Sequence, residues 1–243
     1  MDLSGIDLLA NKLKQKRPLN DTELRRLRDE FITENTYNSN AIEGNSLTLR
    51  ETALVLEGVT IGEKPLKDHL EAIGHKEAFE FVLSLAEKDA PLTESVIKDI
   101  HSLVLMNDRA NKGKYRSVPV KISGADHTPP QPYSIAPQME ALIADHAEML
   151  KTKHIIECVA EFHLRFEGIH PFIDGNGRTG RLILNLELIK AGLLPINVKF
   201  SDRRKYYDCF DRYFGSERSA EAMIELIAAY EREELETRLD ILQ

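Results

Sequence analysis

The chain has 243 residues, enough to bury a hydrophobic core as one large domain or two small ones without a disulfide framework. It carries 32 basic and 40 acidic residues, and this net charge of -8 argues against non-specific binding to nucleic acid or to an anionic membrane. An anionic ligand therefore has to bind at a local cluster of basic groups.

The cysteines and the amino terminus bear on the compartment. Cys158 and Cys209 lie in helical patterns without C-x-x-C spacing, so a reducing compartment is expected. The first residues contain no apolar stretch long enough for the core of a signal peptide, and no uncharged apolar run reaches the roughly 18 residues that span a membrane. The sequence therefore predicts a soluble, cytoplasmic protein that binds neither nucleic acid nor membrane.

Apolar residues recur at helical spacing along almost the whole chain, which predicts a mainly α fold. Polar residues with N-cap character precede several of these periodic stretches, and glycines follow others. The predicted N-caps are Asn20, Thr48 and Thr93, and the predicted terminating glycines are Gly44, Gly58, Gly168 and Gly192.

Residues 112–137 depart from the helical pattern. The β-branched residues Val118, Val120 and Ile122 alternate along the chain, and a glycine and several prolines flank them. Because the prolines argue against a central strand, we expect an edge element that is free to meet a ligand or a peptide. The sequence predicts a short β-hairpin flap at about 113–132.

The most informative stretch is the 170–181 segment, His-Pro-Phe-Ile-Asp-Gly-Asn-Gly-Arg-Thr-Gly-Arg, between two predicted helices. Gly-Asn-Gly before a helix lets backbone N–H groups approach an anion, and the helix dipole adds favourable charge. Arginines three residues apart can each hold phosphate oxygens. The segment thus predicts a polyphosphate site with His170 as general base, Asp174 as Mg²⁺ ligand, Gly175, Asn176 and Gly177 as anion site, and Arg178 and Arg181 as phosphate ligands.

The 170–181 segment resembles the signature of the Fic family, His-Pro-Phe-x-Asp/Glu-Gly-Asn-Gly-Arg-x-x-Arg, at every specified position. The resemblance implies a helical Fic fold and an enzyme that transfers AMP from Mg·ATP to a Ser, Thr or Tyr hydroxyl of a target protein and of itself. It implies that His170 deprotonates this hydroxyl and that Asp174 coordinates Mg²⁺. The rest of the segment, with Thr179 and Gly180, would bind ATP. Gly177 argues against a related variant that carries a lysine in the motif and transfers phosphate.

The resemblance also assigns two elements outside this segment. A flap covers the active site in the family and pairs with the target by strand addition, which suits residues around 117–122, and Ile122 is expected to touch the nucleotide. The pair Tyr206 and Tyr207 is similar to the adenine-side element of the family, where an aromatic ring contacts the base. Relatives often carry Asn where this chain has Phe214, which leaves the preference for adenine open.

Residues 39–45, Ser-Asn-Ala-Ile-Glu-Gly-Asn, end the first long predicted helix and are called the inhibitory segment below. Glu43 lies in the last turn, where the helix dipole makes a carboxylate unfavourable without a cation. The segment resembles the inhibitory Ser/Thr-x-x-x-Glu-Gly/Asn motif of Fic proteins, which implies that Glu43, with Ser39 on the same face, pairs with Arg181. Because a guanidinium held by a carboxylate cannot also hold the γ-phosphate, autoinhibition is expected.

The predicted organisation has three parts: residues 1–47 with the inhibitory segment, a Fic core at 48–215 and a C-terminal helix at 216–243. A de-AMPylase or a transferase with another nucleotide donor remains an alternative, as does a non-catalytic module that senses ATP. The intact His170 and Asp174 argue against pure binding. A metal hydrolase is not favoured because no H-E-x-x-H occurs, and the remaining histidines are assigned no role. Self-association is left open.

Overall fold

The computed structural model describes residues 2–16, 18–122 and 127–242. Within these ranges the protein is built from ten α-helices and two 3₁₀ turns, so the prediction of a mainly α fold is confirmed. No helix in these ranges combines the length and the apolar character of a membrane-spanning segment. The helices are α1 (Ser4–Lys14), α2 (Asp21–Ile42), α3 (Leu49–Leu56), α4 (Leu66–Glu87), α5 (Glu94–Val104), α6 (Ile135–Met149), α7 (Ile155–Ile169), α8 (Asn176–Lys190), α9 (Arg203–Phe214) and α10 (Glu221–Ile241), and the 3₁₀ turns are Pro132–Ser134 and Phe200–Asp202.

The helix starts that the sequence predicts are present. Asn20 Oδ1 accepts from the Glu23 N–H at 3.0 Å, while the Glu23 carboxylate accepts from the Asn20 N–H at 2.9 Å. Thr48 and Glu51 form the same reciprocal pair at the start of α3, and Thr93 Oγ1 accepts from the first turn of α5. These side chains satisfy N–H groups that have no partner within the helix, which fixes where α2, α3 and α5 begin.

The helices α7 and α8 lie between two hydrophobic clusters and contribute to both. They pack with α1, α9 and α10 in one cluster and with α4, α5 and α6 in the other. On α8, Leu184 and Leu188 face the first cluster, whereas Leu182 and Leu186 face the second. A helix that is buried on opposite sides has to be apolar on both of them. The turn that joins α7 to α8 is therefore supported by two helices that are buried in both hydrophobic clusters.

The predicted β-hairpin at about 113–132 is wrong for the described part of that segment. The described residues form turns and irregular chain without a strand, and residues 123–126 lie outside the described ranges. The prolines of this segment lack the backbone N–H that a strand ladder requires. A side chain joins its two sides instead: the guanidinium of Arg116 donates to the carbonyls of Val118 and Pro130 at 2.9 and 2.7 Å.

Candidate active site

The 170–181 segment begins where α7 ends. The His170 N–H donates to the Phe166 carbonyl at 2.9 Å, and His170 itself adopts a left-handed backbone with φ 49°. This conformation is uncommon for a residue with a side chain and occurs preferentially at functional sites. Pro171 follows and cannot continue a helix. The helix therefore ends directly before the candidate base.

Gly168, which the sequence predicts to end this helix, lies inside it. Glycine is required there for another reason, because a Cβ at this position would collide with the Phe214 ring. The His127 ring stacks on Phe214 with centroids 4.0 Å apart, and its Nε2 lies 2.8 Å from the Gly168 carbonyl oxygen. Phe214, the last residue of α9, thus packs against α7. The glycine marks a close approach of two elements rather than a helix end.

Asn176 fixes the loop that precedes α8. Its buried side chain accepts from the Phe172 N–H and donates to the Phe172 carbonyl, both at 2.9 Å. Gly175 has φ 77°, a value that favours glycine. Among the described residues, no side chain caps the amino terminus of α8. The first N–H groups of α8 are therefore left for an anion, which the helix dipole also favours.

Arg178 is buried between two carboxylates. Its Nη1 lies 3.0 Å from Glu71 Oε1, and its Nη2 lies 3.1 Å from Asp174 Oδ1. The same Asp174 oxygen accepts from the Gly175 N–H at 2.6 Å. In this structure Arg178 therefore orients Asp174 and is engaged by carboxylates rather than open to a phosphate. Glu71 belongs to no motif of the sequence, and sequence reasoning missed it.

The geometry of Asp174 fits a Mg²⁺ that arrives with nucleotide phosphates. Its side chain is 49 % exposed, and its Oδ2 faces only the Lys67 Nζ, at 4.0 Å, among the ion pairs of the described residues. Magnesium binds through one or two carboxylates and keeps its other positions for water and phosphate oxygens. The described ranges contain no group of three or more His, Cys, Asp or Glu able to hold a metal ion by themselves. The residues present thus fit a metal shared with ATP.

Arg181 is buried and points at the carboxyl end of α2. Its Nε donates to Ser39 Oγ at 3.0 Å, and its Nη2 donates to the Ser39 carbonyl at 2.8 Å and to Glu43 Oε1 at 2.7 Å. Burial opposes the charge of Arg181, but Tyr206 and Glu43 outweigh burial and raise its pKa. A cation is favourable at this end of a helix dipole. The pair of Glu43 with Arg181 that the resemblance implies is therefore present.

Glu43 also covers the anion site. A Cβ at Gly177 would collide with Glu43 Oε1 and would lie 3.0 Å from Arg181 Nη1. The carboxylate thus fills the space in front of the first turn of α8, where a phosphate would have to lie. It disfavours an anion both by its volume and by its charge.

The two tyrosines predicted at the adenine side support the same arrangement. Tyr206 is buried, and its hydroxyl accepts from Arg181 Nη1 at 3.3 Å and lies 2.7 Å from His163 Nε2. Tyr207 is 45 % exposed and donates to the Ile42 carbonyl, at the end of α2, at 3.1 Å. Both tyrosines therefore support the contact between α8 and α2. Their contact with adenine stays a prediction.

Three further candidate residues remain. Thr179 and Gly180 lie away from the open side of the 170–181 segment, and Ile122 lies next to the undescribed residues. Thr179 is fully buried. A Cβ at Gly180 would lie 2.8 Å from Glu167 Oε1 and 2.9 Å from atoms of the His163 ring, so this glycine lets α8 approach α7 closely. Ile122 is half-buried and directly precedes the undescribed residues, and its contact with the nucleotide stays a prediction.

His101 supports the segment from α5, although the sequence analysis gave it no role. Its ring stacks on Phe172 with centroids 3.6 Å apart, its Nδ1 accepts from the Gly113 N–H at 2.9 Å, and its Nε2 lies 3.0 Å from the Asp174 carbonyl oxygen. Burial lowers the pKa of His101 to about 4. The neutral ring with its proton on Nε2 satisfies both contacts. His101 therefore fixes the backbone of the candidate metal ligand.

Arg116 supports the segment from the other side and was also missed. Besides its bonds to the 118 and 130 carbonyls, its Nε donates to the His170 carbonyl at 2.8 Å, and its own N–H donates to the Pro171 carbonyl at 2.9 Å. The side chain is buried. Neither Arg116 nor His101 lies in a recognisable motif, so only the fold reveals their role.

The candidate base His170 and the neighbouring carboxyl group of Glu167 are both partly buried, with side chains 21 % and 13 % exposed. Burial lowers the pKa of His170, and the Glu167 backbone carbonyl opposes this effect. Burial, reinforced by Glu43, raises the pKa of Glu167 to about 8. His170 Nδ1 and Glu167 Oε2 are 3.7 Å apart. An imidazole that is neutral near pH 7 can accept a proton, as the predicted role requires.

Comparison with characterised proteins places this site in a known family. The Fic/DOC family profile matches residues 91–188. The protein adenylyltransferase Fic of Nematostella vectensis is 37 % identical over 213 residues, which cover 82 % of this chain and 49 % of that protein. The corresponding protein of Drosophila virilis is 33 % identical over 193 residues, which cover 77 % and 39 %. The chain thus spans about half the length, or less, of these curated relatives.

Solved structures extend the likeness to nearly the whole chain. A Fic domain containing signaling protein from Bacteroides thetaiotaomicron superimposes with a TM-score of 0.86 at 29 % identity, over 96 % of this chain and 94 % of that one. Fic-1 from C. elegans also gives 0.86, at 26 % identity, over 98 % and 71 %. With the complete signature lying between its two central helices, the chain contains a domain of the Fic/DOC family, matched over residues 91–188.

Proposed function

We propose that this protein transfers AMP from ATP to a Ser, Thr or Tyr hydroxyl of a target protein, itself included, and that Glu43 keeps it inactive at rest. The observation that carries the proposal is the contact of Glu43 Oε1 with Arg181 Nη2, 2.7 Å long, at the amino end of α8. The relatives named protein adenylyltransferase, at 33 and 37 % identity, support the transferase part.

The proposed reaction is a substitution at the α-phosphorus of ATP. The target hydroxyl oxygen forms a bond to this phosphorus, the bond from the phosphorus to the bridging oxygen breaks, and diphosphate leaves. The hydroxyl proton passes to His170, whose lowered pKa keeps the imidazole neutral and ready to accept it. The first turn of α8 binds phosphate oxygens. Mg²⁺, held by Asp174 when bound, neutralises phosphate charge.

Inhibition follows from competition for one guanidinium. Four of the five N–H groups of the Arg181 guanidinium are already bonded to Ser39, Glu43 and Tyr206, so the guanidinium cannot bind a γ-phosphate in bidentate fashion without losing them. A nucleotide that binds without this contact lies with its α-phosphorus out of line with the target hydroxyl. Removal of the Glu43 side chain restores both the guanidinium and the space in front of Gly177.

The target segment is proposed to lie along residues 117–122. Arg116 joins this stretch to the base, since it donates to the Val118 carbonyl and to the His170 carbonyl. Val118 is 48 % exposed, and Lys121 is exposed as well, so the stretch is accessible. Pairing of the target backbone with it, as an added strand, belongs to the same proposal.

The test compares the wild type, Glu43→Gly and Glu43→Gly/His170→Ala, each incubated with Mg²⁺ and with ATP labelled on the α-phosphate. We expect strong labelling of the protein only for Glu43→Gly, and none with label on the γ-phosphate. Glu57→Gly is the matched control, because Glu57 caps α3 directly before a glycine at φ 90°, as Glu43 caps α2 before one at φ 92°. Glu57→Gly should stay unlabelled.

If all three variants stay unlabelled but still bind ATP in calorimetry, the proposed transferase activity is refuted. Release of AMP from an AMP-modified protein by the wild type, and not by Glu43→Gly, would then favour the de-AMPylase. Equal ATP binding with and without His170, and no reaction in either direction, would favour a nucleotide-sensing module.

A further inference from the structure

Glu167, on α7, lies beside the candidate base His170 and has no part in the proposed reaction. His163, Glu167 and His170 follow one another at intervals of four and three residues, so they lie along one face of the helix and its end. His170 Nδ1 lies 3.7 Å from Glu167 Oε2. This is the one ion-pair contact of His170 within the described part of the chain.

Polar atoms along this face lack hydrogen-bond partners. His163 Nδ1, Glu167 Oε1 and His170 Nδ1 are all buried and unpaired among the described residues. Buried polar atoms are nearly always paired in folded proteins, so an unpaired set beside a reactive group points to a role in another state of the site. Glu167 is therefore placed where an acceptor is required.

The chemistry of the base needs an acceptor at this position. A neutral imidazole carries its proton on only one nitrogen. Because Nδ1 of His170 is buried, Nε2 is the nitrogen left to meet a target hydroxyl, and it has to be unprotonated to act as a base. The proton then lies on Nδ1. At 3.7 Å the Glu167 carboxylate is just outside hydrogen-bond range, and such contacts often shorten when substrate binds.

We infer that Glu167 is a positioning residue: its carboxylate accepts the Nδ1–H of His170 and so keeps Nε2 free to take the proton of the target hydroxyl. The catalytic meaning of this inference rests on the proposed AMP transfer. The nitrogen that carries the proton can nevertheless be determined without any reaction, so the two ideas can fail separately.

The inhibitory carboxylate acts on Glu167 as well as on Arg181. Burial raises the pKa of Glu167 to about 8, and Glu43 adds to the effect, so near pH 7 the group is largely protonated and a weaker acceptor. Departure of Glu43 removes one cause of the raised pKa and favours the carboxylate form. The ionisable groups that face Glu167 or His170 are Glu43 from α2, Arg116, His163 from α7, Asp174, Arg181 from α8, and Tyr206 and Tyr207 from α9.

The test uses the full chain in the Glu43→Gly background, with Glu167→Leu added to remove the acceptor and Glu167→Gln to keep the shape of the side chain. Nitrogen-15 NMR of the imidazoles, assigned with His170→Ala, reports which nitrogen of His170 is protonated. Self-labelling gives kcat and the KM for ATP. Glu161→Gln is the control on the same helix, since the Glu161 carboxylate accepts from the Tyr213 hydroxyl at 2.6 Å.

With Glu167→Leu we expect the proton of His170 to move from Nδ1 towards Nε2 and kcat to fall about 10- to 100-fold, with the KM for ATP unchanged. Glu167→Gln, which retains an acceptor oxygen, should recover part of the rate. Glu161→Gln should change neither the rate nor the protonated nitrogen. A shifted proton in a series that transfers no AMP would support the positioning and count against the proposed function.

A folded Glu167→Leu variant that keeps its proton on Nδ1 and its kcat would overturn the inference. The Glu167 backbone carbonyl, which every substitution preserves, would then be the acceptor. Should Glu167→Leu fail to fold by circular dichroism, Glu167→Gln decides. Its amide oxygen is a weaker acceptor than a carboxylate, so its kcat has to fall below that of Glu43→Gly alone, and an unchanged kcat would overturn the inference.

Discussion

Two helix ends meet at Arg181, and they are built differently. The amino end of α8 is shaped chiefly within its own segment, by Gly175 at φ 77° and by the two hydrogen bonds between the Asn176 amide and Phe172, and His101 adds one contact from α5. The carboxyl end of α2 is held from outside, by the Arg181 guanidinium and by the Tyr207 hydroxyl. The proposed anion site is thus formed mainly by one short segment, whereas Glu43, which covers it, is held by contacts from other elements.

The surfaces behind these two ends differ in the same way. Helix α7 buries mostly apolar side chains, and α8 presents buried leucines to both hydrophobic clusters. The half of α2 next to the site buries four polar side chains alongside Ile32, Ala41 and Ile42, and these polar residues are Asn35, Thr36, Ser39 and Asn40. Polar contacts can be exchanged for contacts with water or a ligand at a small net free energy, whereas apolar burial resists separation. The contacts at the end of α2 are therefore largely polar, and Ile42 is its contribution to the first hydrophobic cluster.

The largest effect is expected from a substitution at the amino end of α8. Asn176→Ala leaves the Phe172 N–H and carbonyl unpaired in a buried place, which should lower the free energy of unfolding by roughly 2 to 4 kcal/mol. It should also abolish labelling in the Glu43→Gly background, because the anion site loses its shape. Urea unfolding monitored by circular dichroism measures the first effect.

Asn38→Ala is the matched control for this change. The Asn38 amide also makes two bonds to the main chain, to the Phe200 N–H and to the Glu34 carbonyl, but it lies on the more accessible side of α2. Water can replace its bonds, so a clearly smaller loss is expected. Equal losses in the two variants would contradict the view that the amino end of α8 is the more rigidly built of the two.

The sequence predicts those features that are encoded locally. Asn20 and Thr48 begin helices because a cap needs only the next three residues. The 170–181 segment carries its own turn, glycines and arginines, so its place between two helices follows from one short stretch. The pair of Glu43 with Arg181 is long-range, and it was predictable only through the resemblance of the inhibitory segment to a known motif.

What the sequence does not reveal depends on packing between distant elements. Glu71 and His101 reach the segment from α4 and α5, and nothing in their neighbours along the chain marks them. The alternation that suggested a hairpin also fits the irregular chain that Arg116 holds. A glycine signals a helix end or a close approach equally well, and at Gly168 it is Phe214 that decides.

An intermediate effect is expected from pH. The base has to be neutral, and burial lowers the pKa of His170 below its usual 6.5, while Glu43 is among the groups that raise it. In Glu43→Gly/Glu167→Gln, where residue 167 cannot titrate, the rate should therefore rise with pH and already exceed half of its plateau at pH 6.5, since a group is half deprotonated at its pKa. The kcat of self-labelling at saturating ATP gives the profile. A midpoint above pH 6.5 would mean that the site stabilises the imidazolium.

The smallest effect should come from a substitution at the carboxyl end of α2, which covers the proposed anion site. Ser39→Ala removes the bond from Arg181 Nε to Ser39 Oγ but leaves those to the Ser39 carbonyl and to Glu43, so the contact of α2 weakens by about 1 kcal/mol. At constant temperature this corresponds to a labelling rate about 5-fold above that of the wild type, far below that of Glu43→Gly. Self-labelling at equal protein concentrations provides the measurement.

Thr33→Ala separates this effect from a general loosening of α2. Thr33 lies on the same helix, and its hydroxyl donates to the Asp29 carbonyl at 2.9 Å, away from Arg181. Its removal should leave the labelling rate at the wild-type level. Equal activation by both variants would mean that the stability of α2 as a whole sets the inhibition. Activation by Ser39→Ala alone would assign the inhibition to the contacts of the single guanidinium at which the two helix ends meet.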